Sequence, residues 1–353
     1  MISLRQKIAQ MLLIGFNGTE INESSPVSQW LLNDGLGGVI LFDYDLANAR
    51  QGKNLVNQMQ IIHLNRMLNH FSHNSATGKQ LPLFIAIDYE GGAVDRLAKI
   101  EGCMQTKSPE QAANLPSGQK HAYWLEMAET LKFLGFNLNF APVVDLNLTT
   151  ESGIIGRLGR SFGAGSQEVV KNANEFVKIF ADLGITCCYK HFPGHGSASG
   201  DTHLGFVDVT DTFDADELVP YTALSQSDEA TAMIMTAHVI NRNLDPDGLP
   251  ATLSKPILSG LLRQQLGFDG VIISDDLQMK AISDHYPLKE ALAMTINAGA
   301  DMVIIANQLG EISAPEVIDT IVDLVNDGVI TVSRIEQAFA RIARLKQTQS
   351  ELA

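Results

Sequence analysis

Residues 186–205 read TCCYKHFPGHGSASGDTHLG. The first five residues form a short apolar run rich in β-formers, the pattern of a strand buried on both faces of a parallel sheet. The run ends in Lys190 and His191. With the loop that follows, residues 190–205 carry three histidines, one lysine and one aspartate among glycine, serine and proline. Such a composition has no use in a core, and its glycines permit backbone geometries that other residues resist.

The same unit recurs in both directions along the chain. Short apolar runs lie at LLIGF (12–16), GVILF (38–42), LFIAI (83–87) and LNFAPVV (138–144) before it, and at MIMTA (233–237), VIIS (271–274) and MVIIA (302–306) after it. Amphipathic stretches such as HAYWLEMAETLKFL (121–134) and EVVKNANEFVKIFADLG (168–184) separate them. Glycine follows the helical pattern at Leu134-Gly135, Leu183-Gly184, Leu266-Gly267 and Ala298-Gly299, where a left-handed cap ends a helix shortly before the next strand. Eight strand–helix units predict an α/β fold, a single (β/α)8 TIM-type barrel over residues 1–353, with an open doubly wound sheet as the alternative. No linker or low-complexity tract divides the chain, and residues 310–353 predict two closing helices, the last over 332–347.

Composition narrows the function classes. The 353 residues, 45% hydrophobic, suffice for one large core. A net charge of −15 argues against a nucleic-acid partner, because an acidic surface repels phosphate backbones. The three cysteines, Cys103, Cys187 and Cys188, form neither a disulfide framework nor a thiolate metal site, which fits a reducing compartment. The opening MISLRQKIAQMLLIGF reads as a helix running into a strand, not as a signal peptide, and no window is long enough to span a bilayer. A cytoplasmic protein without a membrane partner is expected.

The strand ends carry the chemistry. Asp88-Tyr89-Glu90 follows the third run, Asp145 the fourth, Lys190-His191 the fifth, His238 the sixth, and Asp275-Asp276 the seventh. A lone aspartate after a strand is ordinarily a cap or turn residue. Five ionisable strand ends converging on one barrel mouth are what an active site of this architecture requires. The glycine-rich loop itself admits two readings. His191, His195, Asp201 and His203 could bind a divalent metal, as in a metal-dependent barrel hydrolase. Alternatively Asp201 could orient His203 as a general acid/base.

KHFPGHG (190–196), followed by DTH (201–203) and by ISDDLQM (273–279), resembles the signature of glycoside hydrolase family 3. It is most similar to the single-domain β-N-acetylglucosaminidase branch that acts on cell-wall muropeptides, and the resemblance covers nearly the whole chain. It implies a retaining hydrolase with Asp275 as nucleophile and the Asp201–His203 dyad as acid/base. It also implies that Asp88, Arg96, Arg160, Lys190 and His191 hold the sugar. The implied substrate is a carbohydrate with β-linked N-acetylglucosamine, from muropeptides in peptidoglycan recycling or from chitooligosaccharides. No cofactor or metal is implied, and a monomer or weak homodimer is expected.

The alternatives are a β-glucosidase, β-xylosidase or glycoside phosphorylase of the same family, and a non-catalytic sugar-binding barrel. Tyr89 and Ala93 stand where the family motif has glutamine and arginine, so a shifted aglycone preference is expected. GIIGRLGRSFG (153–163) is longer than the usual segment, which leaves Arg157 as a rival to Arg160. The acid/base loop is expected to move on substrate binding.

Overall fold

The computed structural model describes residues 2–149, 153–200, 205–225 and 232–352. Eight parallel strands close into a barrel. They are β1 (Leu12–Gly15), β2 (Gly38–Ile40), β3 (Phe84–Ile87), β4 (Leu138–Asn139), β5 (Thr186–Phe192), β6 (Met233–Thr236), β7 (Ile272–Asp276) and β8 (Met302–Ile305). Each pairs with its sequence neighbours, and β1 closes the ring on β8 through Leu12↔Val303 and Ile14↔Ile305. All eight sequence-derived strands are present, and closure excludes the open doubly wound sheet.

Every strand differs from the sequence reading by at least one residue at one end or both, and three of the shifts bear on the site. β4 pairs regularly over two residues instead of seven, because Pro142 has no N–H to give a ladder; pairing resumes only at the bridge Val143↔Lys190. β5 runs on to Phe192 and β7 to Asp276, so Lys190, His191, Asp275 and Asp276 sit on strands, not in the loops after them. A side chain on a strand is held more rigidly than one on a loop. The final helix, Val332–Leu352, is longer than the sequence pattern indicated.

The glycines at the helix exits do what their positions demand. Gly135, Gly184, Gly267 and Gly299 all have positive φ, at 89°, 73°, 75° and 130°. Gly15 serves closure instead: a Cβ there would stand 1.9 Å from the carbonyl oxygen of Ala306, so only glycine lets β1 approach the end of β8.

The final helix lies across the bottom of the barrel, where the strands begin. Lys346 is fully buried; its ammonium donates to Gln10 Oε1 and the Gly37 carbonyl, both at 2.8 Å, and stands 4.8 Å from the Phe84 ring centroid. Gln349 donates to the carbonyls of Asn137 and Gly184, just before β4 and β5. Asp301, just before β8, pairs with Arg263, Arg334 and Arg341 and accepts the N–H of Ile272 at the start of β7. The bottom face is thus sealed by side chains that tie helices to strand starts.

Burial pulls Lys346 from an ordinary 10.5 down to about 7. Between those values the unfolded chain binds more protons at this site than the folded one, so the folded state gains stability as pH rises through the window. Raising the pH from 7 to 10 is therefore expected to stabilise the protein relative to Lys346→Met in urea unfolding. A stability difference that stays constant over that range would show that Lys346 is not held in this state.

Candidate active site

The opposite end of the barrel, where the strands finish, opens into a cavity of about 270 Å3. Its floor is built on a buried carboxylate. Glu90, three residues beyond the end of β3, receives a bidentate pair from Arg160, Nε to Oε2 and Nη2 to Oε1, both at 2.8 Å. Lys190 Nζ, on β5, lies 2.6 Å from Glu90 Oε1 and 3.1 Å from Asp88 Oδ1. Arg96 completes the group, 3.6 Å from Asp88 and 3.7 Å from Asp43, with its guanidinium 5.5 Å from the Phe42 ring. Asp88, Arg96, Arg160 and Lys190 thus meet on one cavity floor, and Arg157 is exposed, so the geometry favours Arg160.

Electrostatics follow from burial and pairing. Burial alone would raise the Glu90 pKa, but Arg160 and Lys190 outweigh it and hold the carboxyl well below its usual range. Burial would lower Lys190, yet Glu90 and Asp88 outweigh it and keep the ammonium charged. Glu90 stood in the sequence as part of the strand end Asp88-Tyr89-Glu90, without its partners or a role.

Asp145, at the end of the fourth run, organises the strand-five exit. Its carboxylate accepts the backbone N–H groups of His191 and His195, and its Oδ2 lies 2.7 Å from His191 Nδ1. Burial opposes ionisation of Asp145, but His191 outweighs it and lowers its pKa. The same His191, after burial itself, lowers His195 to about 4, so His195 is neutral near pH 7. Further along the loop, Glu217 accepts the N–H groups of Gly196 and Ser197. Asp145 was visible in the sequence as a strand end, without its partners; Glu217 gave no signal at all.

Asp275 lies on the cavity wall at the end of β7. A chain of polar contacts frames its backbone. Asp275 N–H donates to Thr236 Oγ1 at 3.4 Å, and the Thr236 and Thr252 hydroxyls are 2.6 Å apart. Thr252 Oγ1 is 2.8 Å from His238 Nδ1, whose ring Nε2 donates to the Asp276 carbonyl at 2.9 Å. Because a carbonyl oxygen only accepts, Nε2 carries a proton in that contact. The Asp275 Oδ1 accepts the N–H of Asp276 at 2.8 Å. Asp276 Oδ1 accepts the N–H groups of Gln278 and Ala306, which ties the end of β7 to the end of β8. His238, to which the sequence assigned no role, is thus part of the frame around Asp275.

Asp201 and His203 lie outside the described residues. Before them the loop is held as far as Ala198 through the contacts above and through Thr149 Oγ1, which donates to the carbonyls of Gly196 and Ala198. After them Phe206 stacks on His285 with ring centroids 3.8 Å apart. Tyr89 and Ala93 do not line the cavity: Tyr89 is buried in the core and Ala93 is exposed. Val94 and Arg96 are the cavity-lining residues of that hairpin. Among the described residues, no group of three His, Cys, Asp or Glu side chains is arranged to hold a metal ion.

Removing one partner of a buried ion pair strands the other charge, at a cost of about 3–5 kcal/mol. Glu90→Gln and Arg160→Met are each expected to destabilise the fold by that order in urea unfolding. The double variant should cost clearly less than their sum, since both act on one contact. Additive losses would show that the pair is not coupled.

The sequence model of the "Glycosyl hydrolase family 3 N terminal domain" matches residues 3–345. Beta-hexosaminidase A of Pseudoalteromonas piscicida is 33% identical over 332 residues, covering 88% of this chain and 53% of that protein. Beta-hexosaminidase LpqI of Mycobacterium tuberculosis is 30% identical over 362 residues, covering 98% of this chain and 83% of that protein. Among solved structures, the family 3 β-N-acetylglucosaminidase of Paenibacillus sp. superposes with a TM-score of 0.85 at 31% identity, over 100% of this chain and 64% of that one. The β-N-acetylhexosaminidase of Beutenbergia cavernae gives a TM-score of 0.85 at 25% identity, over 98% and 99%. The chain thus spans about half the length of the Pseudoalteromonas relative. Because the family model matches residues 3–345 and LpqI is 30% identical over 98% of this sequence, the chain belongs to glycosyl hydrolase family 3.

Proposed function

We propose that this chain is a retaining β-N-acetylhexosaminidase that releases terminal N-acetylglucosamine through a covalent intermediate on Asp275. The observation that carries the reading is a carboxylate framed at the end of β7 on the wall of a cavity floored by paired charges. A carboxylate on a rigid strand end is placed to attack an anomeric carbon. Asp88, Arg96, Arg160, Lys190 and His191 supply donors and acceptors for sugar hydroxyls, each of which both donates and accepts. The names of the relatives support the N-acetylhexosamine preference.

In this mechanism Asp275 displaces the leaving group while His203, oriented by Asp201, protonates the departing oxygen. His203 then deprotonates a water that releases the sugar, and two inversions give net retention. Glu90 stays ionised between Arg160 and Lys190 and does not transfer protons. The barrel acts as one catalytic domain over residues 1–353, as a monomer or weak homodimer, on muropeptides or chitooligosaccharides. The three cysteines, all unbridged, fit a cytoplasmic setting. No helix among the described residues is long and apolar enough to cross a membrane.

A panel of p-nitrophenyl β-glycosides tests the reading. β-N-acetylglucosaminide is expected to be cleaved well ahead of β-glucoside and β-xyloside, with Asp275→Asn lowering kcat by about 10^4 or more. Cleavage of none of the three would overturn it, and a rate that requires inorganic phosphate would convert it to a phosphorylase. His238→Ala is expected to lower kcat by about 10- to 100-fold with little change in KM, because a displaced nucleophile weakens attack more than binding. An unchanged kcat would remove the frame around Asp275 from the account.

A further inference from the structure

Two arginines stand on the cavity floor in different states. Arg160 is saturated: Glu90 takes two of its nitrogens at 2.8 Å each. Arg96 lies between two carboxylates at almost equal distance, its Nη2 3.6 Å from Asp88 Oδ2 and its Nη1 3.7 Å from Asp43 Oδ1. Both separations exceed the length of an N–H···O hydrogen bond, about 2.7–3.2 Å. Among the described residues neither Arg96 Nε nor Asp43 Oδ1 has a hydrogen-bond partner, although both atoms are buried. Buried polar atoms are nearly always paired, so a guanidinium suspended between two carboxylates calls for a reason.

The two carboxylates are held where they are. Asp43 directly follows the second apolar run, GVILF (38–42), and its carbonyl accepts the N–H groups of Gly52 and Lys53. Phe42, just before it, donates its N–H to Asn54 Oδ1 and accepts the Asn54 N–H at its carbonyl. Asp88 is held from its other side, where Lys190 Nζ lies 3.1 Å from Oδ1. Arg96 is tied at its backbone, whose N–H donates to the Asp88 carbonyl at 3.4 Å. Its guanidinium, 5.5 Å from the Phe42 ring centroid, stays unbonded between the two anions. A cation so placed is drawn to both, and removing one charge leaves it to close on the other.

We propose that Asp43 is a positioning residue: its charge holds Arg96 off Asp88, so that the guanidinium and the Asp88 carboxylate both keep sites open for a sugar hydroxyl. The inference rests on the glycosidase reading above for the identity of the ligand. A hydroxyl between the two accepts from Arg96 and donates to Asp88. Asp88 and Arg96 line the cavity, and Asp43 acts through Arg96. Without the Asp43 charge the guanidinium turns fully to Asp88 Oδ2, and the pair satisfies itself as Arg160 and Glu90 do.

Asp43→Asn, which keeps the shape of the side chain and removes its charge, tests this, with Asp43→Ser as a second neutral variant. The ligand-free crystal structure of either should show Arg96 Nη2 within about 3 Å of Asp88. With p-nitrophenyl β-N-acetylglucosaminide, KM should rise about 10-fold, the loss of one hydrogen bond to a charged group, while kcat changes less than about twofold. Arg96→Gln should raise KM by at least as much. Adding Asp43→Asn to it should change KM no further, because the two act on one contact. A guanidinium that keeps its distance from Asp88, an unchanged KM in Asp43→Asn, or a KM loss that persists in the Arg96→Gln background would each overturn the proposal. A guanidinium that closes on Asp88 in a protein that cleaves no O-linked N-acetylglucosaminide would support the positioning role and overturn the glycosidase reading instead.

Discussion

A carboxylate without access to water, Glu90, gathers the floor of this barrel. It takes both nitrogens of one guanidinium edge of Arg160 and the ammonium of Lys190, drawing together β5 and the segments that leave β3 and β4. Three buried charges are costly to remove from water, so the arrangement persists only because each satisfies the others. Its value lies in what it presets. Lys190, anchored from below by Glu90, is turned toward Asp88, and Asp88 is in turn approached by Arg96. A sugar entering such a site meets donors and acceptors that need no reorganisation, the condition under which polar groups discriminate best.

The barrel separates this work from its own stability. At the bottom, Lys346, Gln349 and Asp301 bind helices to the starts of strands. At the top, the polar groups lie on strand ends and face a cavity. Between the two faces the buried side chains are mostly apolar, and the close approach of Gly15 to Ala306 lets the ring shut. The frame of Thr236, Thr252 and His238 then transmits that rigidity to Asp275 from β6 and from the segment beyond it.

The architecture was legible because its signals are local. Short β-rich runs, amphipathic intervals and glycines at helix exits each report on a few adjacent residues, and together they placed all eight strands. Asp88, Asp145, Lys190, His191 and Asp275 were legible for a related reason: a strand end in a barrel has only one mouth to face. Pairing was not legible. His238 reaches Asp276 across 38 residues and Arg160 reaches Glu90 across 70, and nothing in either segment names its partner. Tyr89 turns into the core between the cavity-lining Asp88 and Glu90, as the alternation of adjacent side chains requires.

The most direct test of the central claim is to capture the covalent intermediate and find where it sits. Wild-type protein is reacted with a fluorinated N-acetylglucosaminyl donor whose intermediate hydrolyses slowly, then digested, and the labelled peptide is sequenced by mass spectrometry. The account predicts one sugar per chain on the peptide containing VIISDDLQM, attached to Asp275. Attachment to Asp276 or to another residue, or steady turnover with no covalent adduct, would contradict it.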